Sequence, residues 1–263
     1  MFRLFMGTGK IFQHVLYKKM IPTTYTYILV DILTIIVCFI FSFDKRIQFY
    51  RHFGAFIKAA LLVAIPFILW DIWFTHHGIW WFNSNYTLGW HVAGLPIEEW
   101  LFFFCIPFSC VFTYYCLDKF FDLSWANGFN NMIVFAGSIV LIVTALLYAH
   151  KTYTLVTALV TTVTLIYLHF FAKAQWIGQA SFVYTVLMLG FLPVNGILTG
   201  TGIDAPIVNY NPQAFLNIRM LTIPIEDAVY GYTQFLLVIY FFKRFQSKTE
   251  HDENITPISS LIQ

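Results

Sequence analysis

The chain has 263 residues, 59% hydrophobic and 11% charged, with a net charge of +2 and a mean hydropathy of +0.71. A soluble domain carries about 25% charged residues, so these values exclude an ordinary water-soluble globule. With no basic stripe, the small net charge gives no reason to expect a nucleic-acid partner.

Residues 1–24 are mixed and weakly amphipathic, with Lys10, Lys18 and Lys19. No small-residue cleavage site follows a hydrophobic region there, so the stretch reads as an N-terminal segment rather than a signal peptide. Met20 is an alternative start to Met1. Apolar runs of membrane-span length then follow near 25–43, 55–74, 97–117, 132–149, 153–171, 181–198 and 225–242. Their lengths, with little internal Pro or Gly, predict about seven transmembrane helices rather than barrel strands. From Lys243 the chain is polar, and 243–263 is expected to be a disordered tail. Cys38, Cys105, Cys110 and Cys116 fall in or at the ends of apolar runs and read as small buried hydrophobes.

Two long loops, near 75–95 and 199–223, interrupt the runs. Asp71-Ile-Trp-Phe-Thr-His-His-Gly-Ile79 aligns with Asn195-Gly-Ile-Leu-Thr-Gly-Thr-Gly-Ile203. Further on, Pro96-Ile97-Glu98-Glu99 aligns with Pro224-Ile225-Glu226-Asp227. The pattern predicts an all-α integral membrane fold with an internal repeat. Its parts are repeat 1 over 25–118 (helices 1–3), a connector helix region over 119–152, and repeat 2 over 153–242 (helices 5–7). Helices 3 and 7 are an even number of crossings apart. Both acidic phrases therefore lie on the same side of the membrane, as in parallel repeats. Lys and Arg are denser on the side of the C-terminus, including Lys45, Arg46, Arg51, Lys119, Lys173, Lys243 and Arg244. The positive-inside rule then predicts a cytoplasmic C-terminus and acids towards the outer leaflet.

A Pro followed by acids in the first turn is an ordinary helix start, and one occurrence would need no further explanation. The second, at the repeat-equivalent place, points to function, because carboxylates at the mouth of a membrane span are expensive. Two neighbouring acids in an apolar place can hold one proton and one charge between them. Successive helical residues point about 100° apart, so one acid of each pair faces a cavity; Glu98 and Glu226 are the expected pair, with Glu99 and Asp227 as partners. Asp71 reads as a further acid–base partner or a helix-end cap, and Asn195 is its repeat-mate. Trp70, Trp73, Trp80, Trp81, Phe82, Trp90, Trp100 and Tyr210 form an aromatic set suited to a cation, or to a membrane-interface belt. Asp31 in helix 1 reads as functional or interfacial. The glycines of 200–205 match a dinucleotide-loop pattern but follow a membrane helix, not a strand. His76 and His77 lack companion ligands, so no metal is expected. Helix 7 contains no Lys for a retinal Schiff base.

At these residues the chain resembles the integral-membrane lycopene cyclases, both the heterodimeric bacterial type and the cyclase domain of the fungal bifunctional lycopene cyclase–phytoene synthase. The resemblance lies in Trp70-Asp71-Ile-Trp73, Gly78-Ile-Trp80-Trp81-Phe82, Leu95-Pro-Ile-Glu98-Glu99, Asn195-Gly-Ile-Leu-Thr-Gly200, Pro206-Ile-Val-Asn-Tyr210 and Arg219-Met-Leu-Thr-Ile-Pro-Ile-Glu226-Asp227. It departs at Asn209, where an aromatic is expected. The resemblance implies a lycopene β-cyclase that closes the ψ-ends of lycopene to β-ionone rings by acid/base catalysis, giving β-carotene via γ-carotene. The family's paired acids fall on Glu98, Glu99, Glu226 and Asp227, and its tryptophan–aspartate motif on Trp70 and Asp71. No net redox change occurs, so no cofactor is expected. Expected partners are the carotenoid substrate, membrane lipid and other carotenoid-pathway enzymes, and the expected location is the bacterial inner membrane. Two other readings stay open: a related carotenoid end-group enzyme (a hydratase, or an ε or C50 cyclase), and a small parallel-repeat transporter.

Overall fold

The computed structural model describes residues 23–255. The N-terminal segment expected over 1–24 therefore lies almost wholly outside the described residues. Seven helices follow: α1 (Thr26–Phe41), α2 (Phe53–His76), α3 (Ile97–Phe120), α4 (Asn130–Leu147), α5 (Thr152–Ile166), α6 (Ile177–Leu198) and α7 (Ile225–Ile255). A π-helical turn, Tyr167–Phe171, extends α5. Large apolar side chains on several helices, among them Leu33, Leu69, Leu146 and Leu189, are exposed. In a soluble protein that would be a liability; on helices that bond their own backbone it is a lipid-facing surface.

Among the described residues, six helices are long and apolar enough to cross a membrane, and α7 is not one of them. Glu226, Asp227, Thr233 and Gln234 make α7 more polar, yet all four are buried. It runs through the interior of the bundle, packed on α2, α3, α5 and α6, with Phe235, Leu236, Ile239 and Phe242 in the main apolar core. The helix continues past Lys243 to Ile255, where the sequence reading expected disorder. No Gly or Pro lies between Gly231 and Pro257 to stop it.

The two repeats share one plan. Each second helix ends at a glycine with positive φ soon after its last turn, Gly78 (64°) after α2 and Gly202 (78°) after α6. A short strand comes next: β1 (Trp80–Phe82) in repeat 1, β4 (Val208–Tyr210) in repeat 2. Then a tight hairpin leads directly into the acidic helix. In repeat 1 it pairs β2 (His91–Val92) with β3 (Leu95–Pro96); in repeat 2 it pairs β5 (Arg219–Met220) with β6 (Ile223–Pro224). Strands β1 and β4 pair with each other, antiparallel, with Trp81 opposite Asn209. These two residues are separated by the same number of positions as Glu98 and Glu226. The local twofold axis therefore passes between them, and the extended segments clasp the repeats together.

Connector α4 packs against α5 and α6. Its entry is fixed by Asn130, whose Nδ2 donates to the Gln175 carbonyl and whose Oδ1 accepts from Gly178 N, both at 2.6 Å. Gly178 has no room for a side chain: a Cβ there would lie 1.9 Å from the Ala126 carbonyl oxygen.

Candidate active site

Hairpin, proline and acid act together at the start of α3 and α7. Pro96 precedes Ile97 with extended geometry (φ −63°, ψ 150°), which halts the hairpin and launches the helix. The first acid of each phrase then turns back to the loop. Glu98 Oε1 accepts from the Leu88 amide at 2.6 Å; Glu226 Oε1 accepts from the Leu216 amide at 2.9 Å, ten residues upstream in both cases. Thr154 Oγ1 also donates to Glu226 Oε1, at 2.6 Å.

The second acid of each phrase points inward. Glu99 accepts a hydrogen bond from the Tyr27 hydroxyl of α1. Asp227 accepts from Tyr153 of α5 and from Tyr210 of β4, both at 2.7 Å. Glu99, Asp227 and Asp71 line one apolar cavity of about 350 Å3, walled by α1, α3, α6 and α7. Glu98 and Glu226 do not. The expectation that Glu98 and Glu226 face the cavity is thus reversed: the unpaired amides of the entering loop claim those carboxylates, and the 100° step to the next residue delivers Glu99 and Asp227 to the inside.

Asp71 is held at the end of α2 by Trp80, whose Nε1 donates to Oδ1 at 2.5 Å. Asp71 lies beside Glu99, so two carboxyl groups sit together, and its Oδ2 has no hydrogen-bond donor among the described residues. Burial, and next the Asp227 charge, push the Tyr210 hydroxyl well above the usual tyrosine range, so this phenol stays a donor to Asp227.

The aromatic set divides. Trp80, Phe82 and Tyr210 line the cavity, and so does Asn195. Trp80 packs at 5.2 Å from the Tyr153 ring and 6.2 Å from Tyr210. Trp73 and Trp81 are about half exposed and Trp90 is 74% exposed, so these three lie on the surface rather than in a cation-binding wall. Trp70 stands behind the site, packed on Phe67, Phe74 and Tyr230. Asp31 is not on the cavity wall: it is 1% exposed in the bundle, and both its oxygens lack partners among the described residues.

Sequence reasoning missed Tyr27 and Tyr153, the phenols bonded to the inner acids. A signal was available: Thr26-Tyr27-Ile-Leu-Val30 and Thr152-Tyr153-Thr-Leu-Val156 open α1 and α5 with nearly the same words. It also missed Tyr230, which lines the cavity one turn of α7 beyond Glu226 and Asp227.

No curated protein and no solved structure matches the chain. A family model does, that of the lycopene cyclases, over residues 24–117 and 150–245. The two matched stretches hold most of α1–α3 and of α5–α7 and leave out the connector α4. With more than half of its residues matched, and its acids gathered on one apolar cavity in a membrane bundle, the chain belongs to the lycopene cyclase family.

Proposed function

We propose that this protein is a lycopene β-cyclase, with Glu99, Asp71 and Asp227 as its acid/base groups. The observation that carries the reading is the convergence of three carboxyls, one from each of α2, α3 and α7, on a cavity walled mostly by apolar and aromatic side chains. Cyclisation asks for that combination. A carboxyl gives a proton to the terminal double bond of a ψ-end. The tertiary cation so formed is attacked by the internal alkene, closing the six-membered ring. A carboxylate then removes a proton from the ring carbon, and the proton count returns to its starting value. The overall change is an isomerisation, so its stoichiometry needs no redox partner.

The side-by-side carboxyls of Asp71 and Glu99 suit the donor, because two such groups share one proton more readily than they carry two charges. Asp227, between two phenol donors, suits the base. Trp80, Phe82, Phe102 and Tyr230 on the wall offer ring faces to the cation and keep out water, which would quench it as an alcohol. Glu98 and Glu226 hold the loops that shape the site. The substrate enters from the bilayer; membership of the family supports a bacterial inner-membrane protein, and the charge asymmetry of the loops supports a cytoplasmic C-terminus.

Expression in a lycopene-accumulating bacterium, with chromatography of the pigments, tests the reading. Conversion to mono- or dicyclic β-ring products is expected. Unchanged lycopene with the protein verified in the membrane would sink it, and ε-rings or hydroxylated ends would move the chain to a neighbouring end-group activity.

A further inference from the structure

A perfect twofold would give this chain two equivalent grooves, one between α3 and α6 and its mate between α7 and α2. Only the first is open among the described residues, and the repeat alignment explains why. Helix α2 carries Ala59, Ala60, Val63 and Ala64, all buried. Small side chains let helices approach closely in a membrane, and α2 and α7 pack along much of their length. Phe67 and Trp70 close this side over Tyr230, with ring centroids 5.0 and 4.9 Å apart. At the corresponding positions α6 carries Val183, Tyr184, Leu187 and Met188. These larger residues hold α6 away from α3, and Tyr184 and Leu187 line the open groove. The repeat-mate of Pro66 is Gly190, at the groove's exposed edge, where an added Cβ would meet nothing within 4 Å. Acids of both repeats therefore open onto a single groove.

Along α3 the lining runs from Glu99 to Thr113, about 21 Å at 1.5 Å per residue. A rod as long as the hydrocarbon core, roughly 30 Å, does not fit inside. With one end at the acids, its far end must lie out in the lipid, past Gly190.

Building on the cyclase reading, we propose that each chain takes one linear polyene through the opening between α3 and α6 and closes one end per visit. The monocyclic product leaves to the bilayer before the second end enters. Each visit adds one proton, forms one carbon–carbon bond and loses one proton, so neither oxidant nor reductant is consumed.

The test uses the full chain in phosphatidylcholine vesicles with lycopene as the probe. Quenching of tryptophan fluorescence should saturate at one lycopene per chain. Gly190→Trp should weaken binding at least tenfold and slow both ring closures together, while Leu189→Trp, one residue away on the lipid face, should bind as the unmodified chain does. In a pulse of lycopene chased with excess carbon-13 lycopene, unlabelled monocyclic product should persist and the unlabelled dicyclic product should fall. Two bound lycopenes per chain, unaffected binding in Gly190→Trp, or dicyclic product that forms through the chase undiminished would each overturn the single-groove proposal while leaving the cyclase reading intact. One lycopene bound, lost in Gly190→Trp, with no ring formed by the unmodified chain would overturn the cyclase reading and keep the groove. No binding at all would overturn the groove.

Discussion

At the residue scale, neighbouring carboxylates in one helical turn have different surroundings. Glu99 and Asp227 reach the cavity, so Glu99→Gln and Asp227→Asn are each expected to cut ring formation by at least about 100-fold, the range of a lost general acid or base, with insertion unchanged. Pigment analysis of membranes with matched protein content checks this. Glu98→Gln and Glu226→Gln weaken the acceptor of a half-buried loop amide. Each should lower stability by about 1–3 kcal/mol, seen as a lower unfolding temperature in detergent, with a smaller loss of activity than the inner acids show. If the outer acids prove the more damaging to turnover in well-folded protein, the inward assignment fails. The sequence displayed all four acids, and even the 100° argument, but not which of each pair faced in. That choice depends on where the Leu88 and Leu216 amides end up, which is a property of the folded loop.

At the element scale, each acidic helix is aimed by the hairpin before it and each repeat by the β1–β4 clasp. Three-residue strands are too short to announce themselves in a hydropathy pattern, and their pairing joins residues more than a hundred positions apart. That is why the segments around 80 and 208 read as loops. The helices were legible because apolar length is a local signal. Gly178 is an element-scale constraint: with the Ala126 carbonyl where a Cβ would go, Gly178→Ala must push α6 away from the turn before α4. A loss of about 3 kcal/mol is expected, the upper part of the range for overpacked sites, read by thermal unfolding. Gly128→Ala, with open space around it, serves as the control.

For the whole molecule, the repeats meet across a twofold clasp, but their grooves do not match. The exposed residues Phe121 and Asp122 separate repeat 1 from the connector and repeat 2. Co-expression of residues 1–122 with 123–263 is expected to restore cyclisation, because the β1–β4 pairing and the α2–α7 packing cross the cut. Either piece alone should be inactive, since Asp227 comes from one and Glu99 from the other. Activity from a single piece would show that one repeat's acids suffice.

By itself the sequence determined the membrane class, the seven helices and the family. These rest on composition, period and motif, which are carried by short stretches of chain. Tertiary structure alone decided that Glu99 and Asp227 rather than their neighbours face inward, that Tyr27, Tyr153 and Tyr210 hold them, and that, among the described residues, one groove of the pair stays open. The first two follow from contacts between distant segments. The last follows from a difference in side-chain size between α2 and α6, which has meaning only once each helix has a neighbour to approach.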